Sequence, residues 1–318
     1  MGPAQALVKV KSLGSRARLN YIGSMTGATP LEQRSVLKVD GPDARPFLQG
    51  LISNDVTKVT PGHSLYATLL TAQGRFLHDF FIVEHDDALL LELAHARRDD
   101  LAKRLRLYKL RSKVTIAPVD DWAVAALWPE DAPAALGLPA EPGAATARAG
   151  GIVHVDPRLA ALGARLLVPR DRLEVALGGF ARAPLAGYER HRRRLGVPEG
   201  ADELVAEKSI LLENGIDELN GVDWQKGCYV GQELTARTKY RGLIKKRLLP
   251  VEIDGPPPAP GTPVTRGAEE AGELRSAADG VGLALLRLEA LDAAALEGEE
   301  LRAGDARLTV HRPAWMKF

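Results

Sequence analysis

One short stretch of the chain decides the fold, and it reads Lys226-Gly227-Cys228-Tyr229-Val230-Gly231-Gln232-Glu233. Gly227 and Gly231 bracket Cys228, so a ligand can approach the backbone on either side of the thiol. Lys226 places a cation two residues away, which favours the thiolate form that acts as a nucleophile or a metal ligand. Glu233 can exchange a proton or hold a cation. The same residues also allow Cys228 to be a small buried hydrophobe, so the stretch alone leaves both interpretations open.

The composition of the whole chain narrows the class of protein. Its 318 residues are 45% apolar and 26% charged, which is typical of a soluble globular protein, and the net charge of +1 favours neither nucleic acid nor membrane as a partner. Cys228 is the only cysteine, which excludes an internal disulfide and a Cys₄ cluster or Cys-rich zinc site built by this chain alone. No apolar run reaches 18 residues, so we expect no membrane-spanning helix.

Hydrophobic periodicity outside this stretch predicts an α+β fold. Strands are predicted at residues 36–39, 65–70, 76–83, 89–93, 122–127, 152–155 and 165–168, and helices at 44–52 and 97–108. Residues 129–150 are rich in Pro, Ala and Gly and predict a loop. Short strands near 281–286, 299–303 and 307–311 predict a small C-terminal β-barrel.

These patterns divide the chain into four parts. We expect a flexible basic leader at 1–31, a discontinuous core at 32–120 plus 180–240, a second α+β subdomain at 121–179 and the barrel at 241–318. The leader lacks Asp and Glu and is interrupted by Gly and Ser, which favours a tail, or sequence upstream of a start at Met25, over an organellar transit segment. The protein is accordingly expected in a bacterial cytoplasm, or in the mitochondrial matrix if the leader is a transit segment.

The stretch 226–233 resembles the signature of the YgfZ family, folate-binding relatives of the glycine-cleavage aminomethyltransferase. Further matches lie at 47–50 with 54–56, 73–75, 110–114, 156–158 and 196–200, so the resemblance covers roughly residues 35–290. Residues 231–238 are similar to the branch that contains the mitochondrial iron–sulfur assembly factor. The resemblance implies a three-domain aminomethyltransferase-like fold around a central cavity that binds tetrahydrofolate or a one-carbon derivative.

The resemblance also implies the roles of particular residues. The aminomethyltransferase activates folate with an acidic pair, and the matching position here reads His78-Asp79, which puts methylene transfer in doubt. Leu212 to Gly215 resembles the segment whose Glu holds the pterin, so Glu213 becomes the expected pterin ligand. The predicted catalytic residues are Cys228, Lys226 and Asp79; the predicted folate-binding residues are Glu213, Asp55, Tyr229, Gln232, Glu233 and Arg241; no metal site is predicted.

Three hypotheses for function follow. The first is a tetrahydrofolate-binding maturation or repair factor for iron–sulfur proteins with Cys228 as its essential thiol, acting with assembly proteins and client enzymes, with a possible effect on tRNA modification. The second is an aminomethyltransferase-type enzyme. The third is a non-catalytic adaptor that binds RNA or protein through its basic clusters. Those clusters, at 97–113 and 190–194, also fit a polyglutamate tail or ordinary solvated helix faces.

Overall fold

The structure is a computed structural model that describes residues 26–242 and 244–318. Its strands are β1 (Gly27–Pro30), β2 (Arg34–Asp40), β3 (Leu65–Leu70), β4 (Phe76–His85), β5 (Ala88–Ala94), β6 (Thr115–Val119), β7 (Trp122–Trp128), β8 (Ala145–Arg148), β9 (Gly151–Val155), β10 (Ala164–Pro169), β11 (Ala181–Arg182), β12 (Lys246–Asp254), β13 (Pro263–Arg266), β14 (Glu269–Ala278), β15 (Val281–Arg287), β16 (Leu301–Ala303) and β17 (Ala306–Val310). Its helices are α1 (Ala44–Gln49), α2 (Arg98–Lys109), α3 (Ala132–Ala135), α4 (Leu173–Ala176), α5 (Leu185–Arg194), α6 (Gly200–Glu203), α7 (Gln232–Tyr240) and α8 (Leu288–Glu297). The predicted α+β class is confirmed.

The first sheet has the strand order β3-β4-β5-β2-β6, and its neighbouring strands are antiparallel. Successive side chains of a strand point to opposite faces, and β5 shows this clearly. Leu89, Leu91 and Leu93 join the core beneath α1 and α2, whereas Leu90 and Glu92 face the second sheet. The sheet is therefore buried on both faces.

The second sheet has the order β11-β1-β7-β10-β9-β8 and packs its inner face against the first sheet. Strand β1 runs antiparallel to β7, and Ala28 is fully buried. The predicted end of the leader at residue 31 is therefore wrong, because residues 27–30 bury apolar surface in this sheet. The rest of the predicted leader, residues 1–25, lies outside the described residues. Helix α3 and strand β8 interrupt the loop predicted at 129–150.

The C-terminal strands close into a barrel in the order β12-β15-β14-β13-β16-β17, as the sequence predicts. The segment after β17 fastens the barrel to the rest of the chain. Trp315 Nε1 donates to the carbonyl oxygen of Leu195 at 2.8 Å, and the Phe318 ring contacts the guanidinium groups of Arg247 and Arg312. No helix within the described ranges combines the length and apolar character needed to cross a bilayer.

Candidate functional site

Cys228 lies on a loop between Val222 and α7 that is fixed at its start. The Asp223 carboxylate accepts hydrogen bonds from the backbone N–H groups of Gln225 (2.7 Å) and Lys226 (3.1 Å), which makes an Asx-type turn. Asp223 also pairs with the amine of Lys58 at 2.5 Å. The start of the loop therefore has a defined shape.

Lys226 anchors the loop to the end of α1. Its Nζ donates to the carbonyl oxygens of Gln49 (2.9 Å), Ile52 (2.7 Å) and Asn54 (2.6 Å). An ammonium group has three N–H donors, so all of them are used by the backbone. Burial lowers the pKa of Lys226 to about 8. The predicted role of Lys226 beside the Cys228 thiol needs correction, because no donor remains for the sulfur and the amine holds the loop instead.

Gly231 anchors the other end of the loop. Its φ of 84° is left-handed, and a Cβ at this position would lie 2.5 Å from the carbonyl oxygen of Thr71. Only glycine allows both this conformation and this close approach. The turn at 73–75 that joins β3 to β4 packs directly against it, since Gly74 Cα lies 3.0 Å from that Cβ position. Cys228 is held between two fixed points.

Between these anchors Cys228 is exposed, whereas its neighbour Tyr229 points inward. The interpretation of Cys228 as a buried hydrophobe is therefore excluded. Tyr229 is 7% exposed, packs in an apolar cluster with Leu70 and Phe76, and burial raises its pKa to about 12. The predicted contact of Tyr229 with a cofactor needs correction, because its ring fills the core.

The remaining predicted folate ligands are dispersed. Asp55 caps a short turn by accepting from Thr57 N and Gln49 Nε2. Glu233 is exposed and paired with Arg237 on α7, while Gln232 begins that helix and Arg241 is exposed after it. These residues do not form one pocket in the described structure.

A cavity of about 610 Å³ lies beside the start of the Cys228 loop. It is lined by Asn54, Lys58, His63, Ser64, Leu65, Tyr66, Pro142, Pro157, Asn220, Val222, Asp223, Trp224 and Gln225. The lining comes from the first sheet, the 142–157 segment and the Cys228 loop, so the cavity lies where three parts of the chain meet. Seven of the thirteen lining residues are polar or charged, so the cavity offers hydrogen-bonding and charged groups as well as apolar contact to a ligand.

Glu213 does not line this cavity. Glu213 is half-buried in the turn Leu212–Asn214. Burial raises the pKa of its carboxyl, while the positive charges of Lys246, Arg75 and Arg275 act to lower it. The pterin role inferred for Glu213 therefore requires a site different from the 610 Å³ cavity.

A buried ionic network joins the two sheets behind the cavity. Glu92 of β5 accepts from Arg165 of β10 at 2.6 and 2.7 Å and from Arg34 of β2 at 2.5 Å. Although burial acts to raise it, the two guanidinium groups lower the pKa of Glu92 to about 2. The Phe81 ring lies 4.2 Å from the Arg165 guanidinium carbon, so the same cation also contacts an aromatic face.

Two of the motifs matched by the family resemblance belong to this network. Arg158 forms a bidentate pair with Asp156 at 2.8 and 3.0 Å and donates to the carbonyl oxygen of Pro198. Glu199 pairs with Arg34, and Arg192 pairs with Glu203 at 3.0 Å. The segments 156–158 and 196–200 therefore lock the sheets to α5 and α6.

Asp79 lies at the edge of this network and is 6% exposed. Its Oδ2 accepts from the Tyr66 hydroxyl at 3.0 Å, and a Cβ on Gly200 would lie 2.0 Å from its Oδ1. Burial and the Glu199 carboxylate raise the pKa of Asp79. His78 bonds Asp100 at 2.8 Å, and burial lowers its pKa to about 4. Asp79 lines a separate cavity of about 140 Å³, so its predicted catalytic role is not supported by the 610 Å³ cavity.

Sequence reasoning missed most of these residues. Glu92, His154 and Arg165 each interrupt an apolar strand, and a charged or polar residue in a buried strand is the signal that could have found them. His154 Nδ1 lies 2.9 Å from Ser64 Oγ behind the cavity wall, and burial lowers the pKa of His154 to about 4. Within the described ranges no three His, Cys, Asp or Glu side chains converge as a metal-ligand set.

Comparison of this sequence with known proteins identifies its family. Residues 245–318 match a family model described as "CAF17, C-terminal beta-barrel domain", and residues 27–137 match "GCVT N-terminal domain". The chain is 38% identical over 302 residues to the human "Iron-sulfur cluster assembly factor IBA57, mitochondrial", covering 85% of this chain and 83% of that relative. The mouse protein of the same name is 37% identical over 286 residues, covering 82% and 77%.

Aminomethyltransferase T of the glycine cleavage system from Bartonella henselae has a similar structure, with a TM-score of 0.72 and 16% identity, covering 92% of this chain and 87% of that one. This likeness confirms the predicted fold. The matches to the human and mouse proteins confirm the resemblance seen in residues 226–238. The chain therefore belongs to the IBA57/CAF17 family, of the YgfZ type, within the superfamily that shares the aminomethyltransferase fold.

Proposed function

We propose that this protein takes part in iron–sulfur protein maturation by presenting Cys228 as one thiolate ligand to iron or to a cluster shared with a partner protein. The single observation that carries the proposal is the exposure of the only cysteine on a loop anchored at both ends. One thiolate cannot hold an ordinary cluster, so a partner must supply the remaining ligands. The assembly role is the one that the names of its human and mouse relatives give.

We further propose that a reduced folate occupies the 610 Å³ cavity. The volume suits a ligand of this size, and the half-buried Trp224 ring offers a face against which a pterin can stack. Lys58, which is more than half exposed at the cavity, provides a cation for a glutamate carboxylate. Because Val222 to Gln225 line the cavity, a bound folate would contact the start of the Cys228 loop and influence its conformation.

Methylene transfer is not part of the proposal. The acid that matches the aminomethyltransferase pair, Asp79, is closed off by Tyr66 and Gly200 rather than open to the cavity. Its neighbour His78 is bonded to Asp100.

The thiol is tested by replacing the protein in a strain that lacks it with the Cys228→Ala variant. We expect the activities of cellular iron–sulfur enzymes to fall to the level of the strain without the protein, while the purified variant melts like the wild type. Val175→Ser, another exposed site, is the control and should restore full activity. Full activity with Cys228→Ala would remove the thiol from the function.

The cavity is tested by calorimetry with tetrahydrofolate. Trp224→Ala should weaken binding about tenfold, since stacking on an aromatic ring contributes about 1 kcal/mol or more. Trp122→Ala is the matched control, because Trp122 is also half-buried but lies against His85 away from the cavity. A loss seen only with Glu213→Ala would place the pterin beside Arg75 and Lys246 instead. Unchanged binding in both variants would refute both sites.

A further inference from the structure

The C-terminal half of α2 and the turn after it form an exposed surface that neither Cys228 nor the cavity uses. We name residues 103–113 the α2 patch. Leu107 is 70% exposed and Leu110 is 89% exposed, with Tyr108 between them also exposed. Single exposed apolar side chains are ordinary, but a cluster of large ones usually marks an interaction site.

The α2 patch is strongly basic as well as apolar. It contains no Asp or Glu, whereas the chain as a whole is nearly neutral. Arg104 pairs with Asp100, and Arg106 donates to the carbonyl oxygen of Ile116. The other cations have no ion-pair partner among residues 26–242 and 244–318, and they are Lys103, Lys109, Arg111 and Lys113. Their charge is therefore available to a partner.

Leu110 holds its exposed position at a conformational cost. Its φ of 45° and ψ of −110° lie in a region that glycine adopts freely and that a residue with a branched side chain avoids. Backbone strain of this kind occurs at functional positions more often than elsewhere. The Leu110 side chain is exposed and makes no contribution to the core, so it is available to a partner.

We propose that the α2 patch docks an acidic protein surface that presents apolar side chains, with Leu107 and Leu110 as anchors and the unpaired cations as the rim. The unpaired cations select for negative charge. The two most exposed apolar side chains are leucines, and Tyr108 is the single aromatic ring of the patch on which a base could stack, which favours protein over RNA.

The patch lies on the same side of the first sheet as the Cys228 loop. Lys113 N donates to Asp43, next to the first turn of α1, and Lys226 binds the carbonyl oxygen of Gln49 at the last turn. Helix α1 has six residues and so spans about 9 Å. A partner that buries about 800 Å² of this protein is wide enough to cover both regions.

The test is fluorescence anisotropy with a labelled amphipathic helical peptide that carries leucines along one face and glutamates elsewhere. A peptide of the same composition with its leucines spread around the helix is the control. We expect the amphipathic peptide alone to bind, and both Leu107→Ser/Leu110→Ser and Lys109→Glu/Arg111→Glu to weaken its binding about tenfold. Val175→Ser, which alters an exposed apolar residue elsewhere, should leave the affinity unchanged. Cys228→Ala should also leave it unchanged, so a failure here is distinct from a failure of the thiol proposal.

Leu110→Gly separates docking from folding. Relief of the strained backbone should leave the melting temperature equal to or above that of the wild type, while loss of the anchor weakens peptide binding. An RNA stem–loop and vesicles of phosphatidylcholine with phosphatidylglycerol serve as competing probes. The proposal is overturned if the peptide does not bind, if leucine substitutions leave its affinity unchanged, or if RNA or vesicles bind in its place.

Discussion

Replacing Glu92 with Gln should cost considerable stability, because its carboxylate accepts hydrogen bonds from two buried arginines. Arg34 and Arg165 each have side chains only 2% exposed, and no water can replace the lost charge. Breaking a buried ion pair by removing one partner typically costs about 3–5 kcal/mol. The pKa of Glu92, lowered from 4.5 to about 2 by the same arginines, corresponds to a stabilisation of about 3 kcal/mol.

Thermal unfolding followed by circular dichroism at neutral pH measures this loss. At about 2 °C per kcal/mol for a chain of this size, Glu92→Gln should lower the melting temperature by about 6–10 °C. Asp79→Asn is the matched control. Burial and the Glu199 carboxylate raise the pKa of Asp79, so the fold does not stabilise its charge as it does that of Glu92, and an amide oxygen can still accept from Tyr66. Equal losses in the two variants would refute this account of the network.

The pH dependence of the unfolding free energy tests whether the charge of Glu92 is the source of this stability. The pKa of Glu92 is lower in the folded state, so its stabilisation is complete above about pH 4.5 and is lost as the pH falls toward 2. The difference in unfolding free energy between the wild type and Glu92→Gln should therefore shrink across this range. A difference that stays constant between pH 4.5 and 2 would show that the ion pair is not its source.

Two further predictions concern the anchors of the site. Lys226→Met leaves three carbonyl oxygens without their donor, so we expect a loss of about 2–4 kcal/mol in thermal melts and faster alkylation of Cys228 by iodoacetamide; alkylation at the wild-type rate would show that the amine does not hold the loop. Gly200→Ala forces a Cβ to within 2.0 Å of an Asp79 oxygen and should cost at least about 1–3 kcal/mol, whereas Gly227→Ala meets no atom within 4 Å and should cost little in the same melts.

The sequence predicts the elements of this fold better than its connections. Apolar periodicity locates β3 at residues 65–70 and the barrel strands because each buries one continuous face. It misses β1, since a four-residue strand next to a basic segment has too little pattern to stand out. The pairing of β1 with β7 depends on residues almost a hundred positions away, and no local signal carries that information.

In the candidate site, too, the local sequence predicts some features and the tertiary fold determines the others. The polar and glycine neighbours of Cys228 leave both a buried and an exposed thiol open, the family resemblance favours a reactive one, and the structure shows Cys228 exposed. The direction of Lys226 does not follow, because sequence spacing of two residues says nothing about which group a long side chain reaches. Its acceptors lie at the end of α1, more than 170 positions earlier in the chain. The tertiary fold alone brings those carbonyl oxygens to the amine.

Most of the residues that carry the family resemblance therefore have a structural task. Segments 156–158 and 196–200 build the ionic network, and residues 73–75 support Gly231. Buried ion pairs of this kind contribute little net stability compared with apolar packing, but they accept few alternative arrangements. Such a network fixes the two sheets in one relative position. The cavity is lined by β3 of the first sheet and by Pro142 and Pro157, which flank strands of the second sheet, so the network also holds the cavity walls in place. Between the anchors at Lys226 and Gly231, Cys228 is the residue whose side chain is exposed.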